Sequence, residues 1–222
     1  MTGLERILFP VDFSERCAAA APKVAAMAER LGAEVHLLHA MTPREYLLGA
    51  PEYKTGGANL YVRHVEEVRR RLDAFDGALF PPARSKRIVA EGDPALRVVE
   101  YARDHGIGLI MLPAHGLGGF RRRVLGSVAA EVMRAAPCPV WTCVHPELAS
   151  ALPSRVLAVD DSIHEWAARM AEALGAPLVP ASPDPLPGSR PGDLAVVARG
   201  NELSLTAARC PIAVIPASSL SA

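Results

Sequence analysis

Short apolar runs that alternate with helix-patterned segments constrain this chain more than any other feature. Ile107 to Pro113, IGLIMLP, is apolar throughout, as a strand buried on both faces of a parallel sheet must be. Arg6 to Asp12 (RILFPVD), Glu34 to Met41 (EVHLLHAM), Ser85 to Asp93 (SKRIVAEGD) and Pro139 to Val144 read as further strands. Between them, Ser14 to Leu31 has helical spacing and Gly32 supplies a stop. Leu60, Val65, Val68, Leu72 and Phe75 mark one face of a second helix. Asp93-Pro94, an N-cap followed by proline at the first helical position, opens a third that ends near Gly106. A fourth runs from about Ser127 to Ala136, and the Pro/Gly-rich stretch from Pro43 to Gly57 reads as a loop or lid. This alternation predicts an α/β fold, an open five-stranded parallel sheet with helices on both faces. Such sheets bind ligands at the carboxyl ends of strands, where the strand order reverses. Two features stand at strand ends: Asp12 after the first strand, and the Pro113–Gly116 turn after the fourth. If those strands are neighbours, both features face one crevice.

The second part of the chain echoes the first. MAERLGAEV (27–35) returns as MAEALGAPL (170–178), RILFPVDFS (6–14) as RVLAVDDS (155–162), and AAPCPV (135–140) as AARCPI (207–212), in the same order. This predicts a tandem repeat, with a first domain over 1–148 and a truncated second over 154–216, linked by HPELASALPS (His145 to Ser154). Only SPDPLPGSRPGD separates the second strand of the copy (about Pro177 to Pro180) from its next (about Leu194 to Ala198). That leaves no room for a third strand and two helices. Gly200 runs almost at once into the last helix, so the copy lacks a phosphate loop. Its expected role is to cover or pair with the first half.

Half of the 222 residues are hydrophobic, enough for a substantial core. Lys plus Arg and Asp plus Glu both number 24, so the net charge is zero and nothing favours a nucleic-acid or anionic-membrane partner. No apolar run approaches the ~20 residues that span a bilayer. The N-terminus does not read as a secretory signal, so the expected location is the cytoplasm. Cys17, Cys138, Cys143 and Cys210 show no metal-ligand spacing and read as reduced, mostly buried thiols; no metal site is expected.

The stretch PAHGLGGFRRRVLGS, Pro113 to Ser127, carries the chemistry. Helix N-termini present unpaired N–H groups and a partial positive charge, which attract anions. Gly116, Gly118 and Gly119 make a pliable loop, and Gly126-Ser127 stands at a helix start. Ser127 either contacts a phosphate or merely caps the helix. Arg121, Arg122 and Arg123 either pair with phosphate oxygens or form a solvated face. Asp12 either accepts a hydrogen bond from a base or hydroxyl, or caps the helix that follows. His115 has no carboxylate or nucleophile beside it in sequence, which favours local hydrogen bonding over catalysis.

Together, ILFPVDFS, VHLLHA, VAEGDP and HGLGGFRRRVLGSVAAEVMRAAPCPV resemble the universal stress protein family across the whole first half, with a degenerate form in the second. The resemblance implies an adenine-nucleotide α-hydrolase-like sheet. It also implies the ATP loop Gly, two residues, Gly, nine residues, Gly-Ser. Here Gly116 is the second glycine, Leu117 to Leu125 are the nine, Gly126-Ser127 is the exit, and the first position falls on Pro113. It implies a cofactor-binding set of Pro10, Val11, Asp12, Ala40, Pro113, His115, Gly116, Gly126, Ser127 and Val128. It also implies dimerisation, often through the last strand, which here can pair 140–144 with 212–215 inside one chain. Pro113 lacks an N–H, and one lost hydrogen bond is worth roughly 0.5–1.5 kcal/mol, about tenfold in affinity at most.

The expectation is a cytoplasmic stress-response protein that binds ATP, with or without magnesium, in its first half. It would act as a sensor or interaction protein, not an enzyme, with at most slow hydrolysis. The alternative is an interaction module that binds no nucleotide and whose halves form an intramolecular pseudo-dimer. An adenylate-forming enzyme is a third reading, but PVDFSERC stands where its pyrophosphate loop would lie.

Overall fold

The computed structural model describes residues 3–42, 57–113, 126–143, 152–181, 189–190, 192–200 and 210–219. The first part of the chain forms β1 (Arg6–Pro10), α1 (Glu15–Leu31), β2 (Glu34–Met41), α2 (Gly57–Ala74), β3 (Ser85–Glu91), α3 (Pro94–Asp104), β4 (Leu109–Pro113), α4 (Ser127–Ala135) and β5 (Val140–Cys143). The remainder forms β6 (Arg155–Ala158), α5 (His164–Leu174), β7 (Leu178–Pro180), β8 (Asp193–Ala198) and β9 (Ile212–Ile215). The expected first-half elements differ from these only at their ends. Residues 43–56, most of the expected Pro/Gly-rich loop, lie outside the described residues, as does the expected last helix after Gly200.

The sheet is larger than the expected five strands. Its order is β3-β2-β1-β4-β5-β9-β8-β6-β7, one continuous nine-stranded sheet. Strands β3 through β5 are parallel, as are β9 through β7, and only the β5–β9 seam is antiparallel. An open parallel sheet leaves a row of unpaired backbone groups along its last strand. Here β9 fills that row, with Val140 opposite Val214 and Thr142 opposite Ile212. The buried Thr142 hydroxyl donates to the Ile212 carbonyl and accepts from the Ile212 N–H, each at 3.2 Å.

Local geometry repeats where the sequence repeats. Gly32 and Gly175 both adopt left-handed φ (65° and 66°), and their N–H groups close α1 and α5 in the same way. Asp12 accepts from the Ser14 N–H at 2.9 Å, and Asp160 from the Ser162 N–H at 2.7 Å. The ends of α1 and α5 meet on one face, where Arg30 Nε donates to the Ala173 carbonyl at 2.6 Å. That face also holds Leu72 of α2 and the buried Trp141. Helices α3 and α4 cover the other face through Ala95, Val98, Val132 and Met133. In the second part, the buried Asp193 carboxylate takes a two-pronged contact from Arg155 (2.9 and 2.7 Å) and the Arg190 N–H, tying β6 to β8. Among the described residues, Cys17, Cys138 and Cys210 are buried and in no disulfide. Burial pushes the Cys138 thiol up to about 12, so it stays protonated.

A polar cluster closes the amino-terminal end of β2. His36 Nδ1 lies 3.0 Å from the Tyr101 hydroxyl and Nε2 3.0 Å from Glu34, which also meets Lys86 at 3.1 Å. Burial holds His36 below its ordinary value of 6.5. The neutral ring fits both contacts: Nε2–H donates to Glu34 and Nδ1 accepts from Tyr101. The hydrogen bond from His36 keeps Glu34 below the usual carboxylate range.

Two measurements follow. Thr142→Val removes both seam bonds at nearly constant volume and is expected to cost about 1–2 kcal/mol in urea denaturation. For His36, the unfolded chain takes a proton near 6.5 while the folded ring resists it, so stability is full above that value and falls as the pH drops below it. His36→Gln is expected to flatten the dependence between about pH 7.5 and 5.5, with Glu34 contributing only below its ordinary 4.5.

Candidate functional site

Strand order reverses at β1. Its partners are β2 on one side and β4 on the other, so the connections leave in opposite directions and open a crevice at the carboxyl ends. A cavity of about 400 Å³ occupies that crevice. It is lined by Pro10, Val11 and Asp12 after β1, by Ala40 of β2, by Pro113 of β4, and by Gly126, Ser127 and Val128 at the start of α4. All the expected site residues within the described chain therefore meet in one place. His115 and Gly116, with Gly118, Gly119 and Arg121 to Arg123, lie outside the described residues.

The cavity wall is part apolar and part polar. Leu38, Ala40, Val98 and Leu112 are among its apolar residues. At the wall α4 begins at Gly126, where no side chain caps the helix and no acid occupies the first turn. The N–H groups of its first turn carry the helix's partial positive charge at the cavity wall. Ser127 is thus the first helical residue and not the N-cap, which was one of the two roles open to it in sequence. Asp12 does not cap α1 either. Ser14 is the cap, its hydroxyl accepting from the Cys17 N–H at 3.2 Å, while Asp12 Oδ1 accepts from the Ser14 N–H (2.9 Å) and hydroxyl (2.6 Å). Among the described residues these contacts engage only Oδ1. Asp12 and Pro113 also line an adjoining pocket of about 310 Å³ with Ser14, Glu15 and Arg16.

Pro113 ends a central strand without breaking it. The Ile110 N–H bonds to the Pro139 carbonyl on the β5 side, so by alternation the N–H positions of Met111 and Pro113 face β1. The missing donor costs the β4–β5 ladder nothing and falls on the crevice side. Gly108, at the other end of this run, is required by packing: a Cβ there would overlap the Gly3 carbonyl.

Sequence reading missed several wall residues. Leu38 and Leu112 looked like ordinary strand core, and Pro94 and Val98 like a helix start and its face. Leu38 had one signal, since it lies two residues from Ala40 and so on the same side of β2. Phe13 was missed as well. It holds φ 59°, in the left-handed region that bulky residues avoid. Its ring packs on His39 (4.6 Å between centroids), with the Arg71 guanidinium 4.3 Å above it. His39 donates from Nδ1 to the Val11 carbonyl at 2.7 Å. These contacts hold the turn that carries Asp12.

The universal stress protein family model matches residues 3–143. The chain belongs to the universal stress protein family. Universal stress protein YxiE of Bacillus subtilis is 26% identical over 144 residues, covering 61% of this chain and 95% of that protein. A Thermus aquaticus universal stress protein is 30% identical over 134 residues, covering 60% and 94%. Two solved structures share the fold along nearly the whole chain. One is a universal stress protein from Archaeoglobus fulgidus (TM-score 0.61, 16% identity, 97% of this chain and 79% of that one). The other is the functionally unknown protein PA1789 from Pseudomonas aeruginosa (TM-score 0.58, 13% identity, 98% and 94%).

Asp12→Ala removes the acceptor for both Ser14 groups and is expected to cost about 1 kcal/mol in thermal or urea unfolding. Asp12→Asn keeps that oxygen and is expected to stay near the parent protein.

Proposed function

We propose that this universal stress protein binds an adenine nucleotide, ATP with magnesium among them, in the crevice between β1 and β4. The observation that carries the reading is the convergence of Pro10, Asp12, Ala40, Pro113 and Gly126–Val128 on one cavity with apolar wall residues and a helix N-terminus. The base packs against Leu38, Ala40, Val98 and Leu112. Asp12 receives a hydrogen bond from the base or ribose, and the phosphates settle at the first turn of α4. The reading is binding and not rapid catalysis, in a cytoplasmic protein whose nucleotide state governs its contacts with other proteins. We read the chain as a tandem form whose degenerate second half supplies β9 as an internal partner for β5. The repeated caps at Gly32 and Gly175 and the strand order β7-β6-β8-β9, which parallels β2-β1-β4-β5, support this.

Pro113 favours a second reading, an interaction module that holds no nucleotide, because its missing donor lies on the crevice side. Isothermal titration with ATP and magnesium separates the two. One nucleotide per chain is expected, and Pro113→Gly is expected to tighten it by at most about tenfold, the worth of one hydrogen bond. No heat of binding at millimolar ATP, together with binding created by Pro113→Gly, overturns the first reading in favour of the second.

A further inference from the structure

We infer that the outer edge of β3 is a docking strand for a second copy of this chain, the two β3 strands pairing antiparallel about a two-fold axis. The nine-stranded sheet has two ends, β3 and β7. They are built differently. Strand β7 is three residues long, and Pro177 and Pro180 bracket its Leu178-Val179, so it offers little to a new strand. Strand β3 has seven residues, SKRIVAE, with no proline and with Ile88-Val89 at its centre. The edge of β5, the other end of the parallel first half, is already taken by β9. A second copy that extends the sheet therefore has β3 to use.

The ladder shows which groups are on offer. The Gly92 N–H bonds to the Met41 carbonyl on β2, so by alternation Ile88 and Ala90 also face β2, while Arg87, Val89 and Glu91 present N–H and C=O outward, the Glu91 carbonyl already accepting one bond from Arg97 Nε at 2.6 Å and keeping its second lone pair. Among the described residues, no backbone group outside β2 pairs with Arg87 or Val89. In a two-fold pairing centred on Val89, the two Val89 residues exchange both backbone bonds, and Arg87 stands opposite the partner's Glu91. Opposite charges across such a pair are favourable. Arg87 enters the pairing without a carboxylate of its own: its guanidinium donates to the Leu72 and Phe80 carbonyls and to the Ser85 hydroxyl. Glu91 is exposed, and among the described residues its side chain takes the Tyr61 hydroxyl and no cation. Each interface contains the Arg87–Glu91 pair twice, which fixes this register over its neighbours.

The inference is independent of nucleotide, and the experiment omits it. Sedimentation of the full chain is expected to show a reversible monomer–dimer equilibrium. Hydrogen exchange is expected to slow at the Arg87 and Val89 amides as concentration rises. Val89→Pro removes an N–H that faces away from β2, so the fold tolerates it; the variant is expected to be monomeric with an unchanged circular dichroism spectrum. Glu91→Arg sets like charges opposite each other and is expected to weaken the dimer at least about tenfold. A chain that stays monomeric overturns the proposal. So does a dimer that Glu91→Arg leaves unchanged, or one whose Arg87 and Val89 amides exchange at the monomer's rate.

Discussion

The crevice of this molecule depends on β1 having parallel partners on both sides. With β2 on one side and β4 on the other, the chain leaves β1 toward one edge and returns to pair its other flank. The right-handed crossovers then place α1 and α2 on one face and α3 and α4 on the other. At the carboxyl end of β1 the connections part to opposite sides, and the crevice between them is the cavity. Its chemistry is inherited from what ends there: a turn with a carboxylate, a strand ending in proline, and an uncapped helix start.

The second constraint is the seam. A parallel sheet that stops at β5 exposes a hydrogen-bonding edge, and β9 satisfies it from within the chain. Thr142 adds side-chain bonds at that junction, and Arg30 ties α1 to α5 above it. The packing around Trp141 draws on both parts of the chain, so the halves share one core on that face. The two ends of the sheet differ. Beyond β2 lies a third strand, β3, whereas among the described residues the other end stops at β7, short and bracketed by prolines.

Much of this was legible in the residues. Ser14, Gly32, Asp93 and Pro94 mark helix ends because caps act within one turn, and they stand where the structure needs them. Asp12, Pro113 and Gly126 were legible as candidates for the crevice they line, because strand ends and helix starts are local events. What escaped was of two kinds. Leu38, Val98 and Leu112 became cavity wall only because the sheet and α3 met at one end; in sequence they are ordinary core. The left-handed Phe13 escaped because phenylalanine carries no signal for positive φ. His39, Phe75 and Arg71, from distant elements, hold it there.

The sequence by itself determined the alternation of strands and helices, their caps and the internal echo, because periodicity and capping act over a few residues. The tertiary structure alone decided that β1 and β4 adjoin and that the N–H missing from Pro113 lies on the crevice side, while the pairing of β5 with β9 is expected from the family resemblance and from no local pattern. Strand neighbours are chosen by crossovers and by edges that must be paired. Those choices depend on residues far apart in the chain, and no local pattern records them.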